Sequence, residues 1–162
     1  MTDTAAVLVV GDGPVAAVLV PMLETLGWSP HPATTLPEVV AALPACDAVV
    51  VLSHHEEVDA AAIAAALGAG TAYVGAMGSR RTQARRREWL LLHGVDEGAL
   101  AALHAPIGLD LGADEPGEIA VSILAELVAV RRGRAGVVGS VADRDGPIHP
   151  RLAPGEATCP GG

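Results

Sequence analysis

The stretch from Ala5 to Leu26 constrains the fold most. Ala5 to Val10 is a short, Val-rich apolar run that ends in Gly11, which suits a parallel strand buried on both faces. Val15, Val18, Leu19, Met22, Leu23 and Leu26 then recur at helical spacing until Gly27, a C′ stop. Between the two lies GDGPVA. Gly11, Gly13 and Ala16 occupy the three small positions of the G-x-G-x-x-G/A turn, between a buried strand and a helix. The first Gly permits a tight turn, the second lets a phosphate approach the backbone, and the third small residue lets helix and strand pack closely. A tight strand-to-helix turn without a ligand is the alternative reading. Two features count against ordinary NAD(P) binding. Thr34 and Thr35 stand where an acid would hold a ribose hydroxyl, and Pro14 removes an N–H from the turn while Asp12 adds a negative charge.

The pattern repeats along the chain. Trp28 to Ala33, with two prolines, suits a short strand near a sheet edge. Thr35 and Glu38 form a capping-box pattern ahead of a short helix. Asp47 to Leu52 is a central strand, Asp59 to Leu67 an Ala-rich helix, and Thr71 to Ala76 the next strand. Ser79 caps a helix that runs to Gly94, and Asp96 caps a shorter one that reaches about His104. Ile119 to Val128 mark an amphipathic last helix with Pro116 in its first turn. Alternating strands and helices predict an α/β, Rossmann-like, doubly wound and mostly parallel sheet with helices on both faces. Residues 1–135 form this domain, and residues 136–162 form a Gly/Pro-rich tail.

Ligands of such sheets bind beyond the carboxyl ends of the strands. Gly75, Gly78, Ser79, Arg80 and Arg81 sit at one such end, where free helix N–H groups and guanidinium forks favour an anion. Arg85 is a weaker candidate. Arg86 and Arg87 begin ~9 Å further along the helix axis and are assigned to solvent or a partner, as a basic face balanced by Glu88. Ser53 and His54 end the third strand and open onto the same crevice. The loop from His104 to Gly112 takes a special backbone path through Pro106 and Gly108, and its Asp110 either positions a polar ligand group or caps the loop. No catalytic residue and no metal site is assigned.

Charge and composition narrow the partners. All ten basic residues are Arg, and the formal charge of −9 disfavours nucleic acid or an anionic membrane as the main partner. No apolar run spans a bilayer, no secretory signal is visible, and a cytoplasmic location is the expectation. With no Phe, one Tyr and two Trp, the core is aliphatic. Cys46 and Cys159 fit no metal or disulfide pattern and are expected as free thiols.

Two strings, GAMGSRRT (Gly75 to Thr82) and LHAPIGLDLGADEPGEIAVSILAE (Leu103 to Glu126), resemble the most distinctive motifs of the XdhC/CoxI family of molybdenum hydroxylase accessory proteins. VVVLSHHEEVD (Val49 to Asp59) resembles the segment before them, and the similarity runs from about Val7 to Gly133. The resemblance implies a chaperone that binds molybdenum cofactor, as molybdopterin or its dinucleotide form, protects it during sulfuration and helps insert it into an apo-hydroxylase such as xanthine or carbon monoxide dehydrogenase. It also implies a hydroxylase partner, a further N-terminal domain supplied by a separate chain, and a homodimer as one possible assembly. The turn departs from the family's G-A-G-H-V-A, since Asp12 and Pro14 replace its small residue and its histidine. An NAD(P)-dependent oxidoreductase and a degenerate domain acting only through protein contacts are the alternatives.

Overall fold

Side chains that alternate between the two faces of each strand, both of them covered, and one apolar stripe per helix generate three layers. The computed structural model describes residues 4–139 and 141–143. Five strands, β1 (Ala6–Val10), β2 (Ser29–Ala33), β3 (Ala48–Val51), β4 (Tyr73–Ala76) and β5 (Leu103–His104), form one parallel sheet in the order β2-β1-β3-β4-β5. Helices α1 (Pro14–Thr25) and α6 (Pro116–Arg131) cover one face. Against them pack Val7, Val9, Val50 and Tyr73. On the other face α2 (Leu36–Ala42), α3 (Glu56–Gly68) and α4 (Arg80–Leu92) meet Leu8, Val10, Val49, Val51 and Val74. The core is aliphatic apart from Tyr73. Burial on both faces explains why β1 and β3 read as continuous apolar runs.

The predicted caps form. Thr35 Oγ1 accepts from Glu38 N at 3.4 Å, while Glu38 Oε2 accepts from Thr34 N and Thr35 N at 2.7 and 3.0 Å. Ser79 Oγ accepts from Thr82 N at 3.2 Å, and Asp96 Oδ1 from Ala99 N at 2.7 Å. Pro116 opens α6, and β2, with its two prolines, is an edge strand.

Two boundaries differ from expectation. The helix capped by Asp96, α5 (Glu97–Ala101), stops before His104, and Leu103–His104 pair with Val74 and Gly75 instead. Two residues carry no readable alternation, yet they supply hydrogen-bond partners to β4. Helix α3 starts at Glu56, three residues before Asp59, with Glu56, Glu57 and Asp59 in its acidic first turn. Cys46 is a free thiol. Cys159 and the tail from residue 144 onward lie outside the described residues.

Candidate functional site

From β1 the chain turns outward to β2 and then returns across β1 to β3, so the sheet has a switch point between β1 and β3. A cavity of about 630 Å³ opens at the carboxyl ends of these strands. Its apolar wall comes from Val15, Leu52, Met77, Ile107 and Ile119, and its polar groups from His54, Ser79, Asp110 and Ser122. Three helices begin on it: α1 at Gly13 and Pro14, α4 after Gly78 and Ser79, and α6 at Pro116. These starts turn the positive ends of three helix dipoles toward the cavity, although Pro14 and Pro116 carry no N–H, Thr82 N is taken by Ser79 Oγ, and Asp114 N and Glu115 N are taken by Glu118. Gly13 is the N-cap of α1 and provides no side-chain cap; a Cβ there meets nothing within 4 Å.

Other glycines of the motifs build the wall from behind. Gly11 has φ +117°, and a Cβ there would lie 2.8 Å from Ser53 N, so only Gly lets the turn rest against the end of β3. Gly75 lies within β4, where a Cβ would lie 2.6 Å from Ile107 Cδ1 and 2.7 Å from Tyr73 Oη. Gly108 has φ +103° and lies against Ser122, donating its N–H to Glu126 Oε1 at 3.3 Å.

Of the residues singled out in the sequence, Gly13, His54, Gly78, Ser79 and Asp110 share the cavity lining. Gly11, Ser53, Gly75 and Gly108 do not line it. Arg80 and Arg81 follow Ser79 directly, are exposed on the first turn of α4, and have no ion-pair partner among the described residues. They stand beside the cavity and outside its lining.

The assignment of the later arginines needs correction. Arg85 pairs with Glu56 and Arg87 with Glu97, both pairs exposed, rather than with Glu88. Arg86 is not solvated: it is 7% exposed, and its guanidinium lies 3.6 Å from the carboxylate of Asp59, itself 1% exposed. Ser53 Oγ donates to Asp59 Oδ1. Arg86 Nη1 donates to Gln83 Oε1 at 2.8 Å and Met77 O at 3.3 Å, and Gln83 Nε2 donates to Ala76 O at 3.1 Å. This network ties the end of β3 to the loop between β4 and α4, two walls of the cavity. Burial raises the Asp59 carboxyl above its ordinary value, while Ser53 and Arg86 pull it back. Burial likewise lowers Arg86, and Asp59 opposes that shift.

The second group missing from the sequence reading is Tyr73, Glu126 and His104. Tyr73 Oη donates to Glu126 Oε1 at 2.5 Å, and the Tyr73 and His104 rings stack with centroids 4.6 Å apart. Burial, then the bond to Glu126 and its charge, push the Tyr73 hydroxyl far above its ordinary value. For the buried ion pair a signal exists in the sequence. Asp59 shares a helical stripe with Ile63 and Ala66, and Arg86 shares one with Leu90.

A second crevice, of about 510 Å³, lies on the β2 side of the glycine turn. Gly11, Asp12, Ala16, Thr34 and Glu38 are among its lining residues.

Comparison with known proteins places this architecture. A family model described as the XdhC Rossmann domain matches residues 7–127. The uncharacterized protein YqeB of Escherichia coli K12 is 42% identical over 65 residues, which are 40% of this chain and 12% of that protein. A protein of Bacillus subtilis 168 described as a probable xanthine dehydrogenase subunit is 36% identical over 86 residues, 53% of this chain and 24% of that protein. The matches therefore span a quarter or less of these curated relatives. A solved structure described as a xanthine dehydrogenase from Bacillus halodurans superposes with a TM-score of 0.63 at 24% identity, covering 81% of this chain and 45% of that one, which shows a shared fold. Because the family model spans most of the chain, reaches all five strands and includes the whole cavity lining, this protein belongs to the XdhC Rossmann-domain family.

Proposed function

We propose that this domain is an accessory factor for a molybdenum hydroxylase of the xanthine dehydrogenase type, holding molybdenum cofactor during sulfuration and insertion. One observation carries the reading: three helix starts converge on an apolar-walled cavity inside the segment that matches the family. A pterin phosphate needs a surface for a flat heterocycle and donors for an anion. Met77, Ile107 and Ile119 offer the first, and the backbone at Gly13, Gly78 and Ser79 offers the second. Arg80 and Arg81 add positive charge beside those donors.

Among the described residues, no group of three or more His, Cys, Asp or Glu is arranged to hold a metal ion. The residues that line the cavity would grip the organic part of the cofactor. When bound, the cofactor supplies the molybdenum centre that a hydroxylase needs. The protein's part is to bind, orient and shield it until handover to the apoenzyme, and no covalent step by this chain is required. The name of the Bacillus subtilis relative supports a hydroxylase partner of this type.

The test is genetic and chemical. In a host lacking this chain, the purified hydroxylase is expected to carry little pterin and molybdenum. The wild-type chain should restore both, and the Arg80→Ala, Arg81→Ala double variant should restore them poorly. A fully loaded hydroxylase in the absence of the chain would refute the role.

A further inference from the structure

Given the cofactor role proposed above, we infer that the site selects a ligand ending in a single phosphate and rejects one whose pyrophosphate crosses the glycine turn toward β2. In doubly wound sheets a dinucleotide lies across the switch point, with its pyrophosphate over the first turn and its far nucleoside beside the second strand. That path needs donors on the turn and an uncharged or donor-bearing second crevice.

The crevice on the β2 side carries two acidic side chains, Asp12 and Glu38, instead. Gly11 N, at the rim of this crevice, already donates to Ala33 O at 2.9 Å. Thr34 N and Thr35 N, the donors at the end of β2, are both taken by Glu38 Oε2. Those bonds hold the Glu38 carboxyl below its ordinary range, so it is ionised at neutral pH. Asp12 is exposed on the turn itself, and no Arg, Lys or His lines the crevice.

A phosphate entering there would meet two carboxylates and no basic side chain. Space does not discriminate, since the two openings are of similar size, about 510 and 630 Å³. Charge does. The larger cavity has one carboxylate in its lining, Asp110, and three helix starts, with Arg80 and Arg81 alongside. A ribose hydroxyl alone is compatible with Glu38, but the pyrophosphate that would carry it there must pass Asp12. Asp12 and Glu38 are thus specificity determinants that confine the ligand to the side of the turn facing β3 and β4.

Two measurements test this selection. In the first, the chain is purified from cells that make both cofactor forms, and nucleoside monophosphate released by acid is counted against pterin. The wild type is expected to release less than about one nucleotide per ten pterins; one nucleotide per pterin would overturn the inference. The second uses NAD as a dinucleotide probe and needs no pterin, so it reads the selection even where the cofactor role fails. Calorimetry should show no saturable binding of NAD to the wild type, and saturable binding to the Asp12→Gly, Glu38→Gln double variant. The glutamine keeps the cap acceptor, and a thermal melt checks the fold. Saturable NAD binding by the wild type, or a double variant no better than wild type, would overturn the assignment.

Discussion

Asp59 and Arg86 form an ion pair at 3.6 Å beneath the cavity, 1% and 7% exposed, joining α3 to α4 where no other charged pair is buried among the described residues. A buried pair is weak evidence of net stabilisation, but removing one partner strands the other charge. Arg86→Met, which keeps most of the aliphatic bulk, is expected to lower unfolding free energy by about 3–5 kcal/mol in urea denaturation. Adding Asp59→Ala should recover part of that loss. Strictly additive losses would show that the two groups act separately.

The Tyr73 hydroxyl donates to a carboxylate inside the α6 face of the sheet. Tyr73→Phe is expected to cost about 1.5–3 kcal/mol, the range for hydrogen bonds to charged groups. The raised hydroxyl value also has a sign. The unfolded chain releases this proton first, so stability falls as pH rises through the ordinary value of 10.0. Absorbance titration of the folded protein should show no tyrosinate at that pH, and an ordinary titration curve would contradict the bond.

Gly75 looks in the sequence like part of an anion-binding turn, yet its visible task is to leave room for Ile107 and the Tyr73 hydroxyl. Gly75→Ala is expected to destabilise by about 1–3 kcal/mol through overpacking. An unchanged melting temperature would show that Ile107 moves aside freely.

Acid should loosen α2 through its cap. Glu38 has a folded value below its ordinary 4.5, so its contribution is complete above that pH and is lost as pH falls through the folded value. Glu38→Gln is expected to flatten the decline in urea midpoint between about pH 5 and 3. An identical acid limb in the variant would show that the cap bonds do not form in solution.

Local chemistry made most of this architecture legible. The caps at Thr35, Ser79 and Asp96, the edge placement of the proline-bearing β2 and the buried runs of β1 and β3 each follow from a few neighbouring residues. What stayed hidden depends on contacts between distant segments. The two-residue strand β5 exists because β4 offers it hydrogen bonds, and Arg86 is buried because Asp59 approaches from another helix. The glycines divide in the same way. The open position of Gly13 and the crowded one of Gly75 differ only in what the rest of the fold brings near them.

The central claim is that the cavity beside Gly13 holds the cofactor. Gly13 is the place to test it, because it lines the cavity and a Cβ added there meets no protein atom within 4 Å. The most direct measurement is the pterin content, per chain, of wild-type protein and Gly13→Glu purified from cells that synthesise molybdenum cofactor. Near-stoichiometric pterin in the wild type, with a loss of at least tenfold in a variant of unchanged melting temperature, is the predicted result. Equal pterin in both, or none in the folded wild type, would contradict the account.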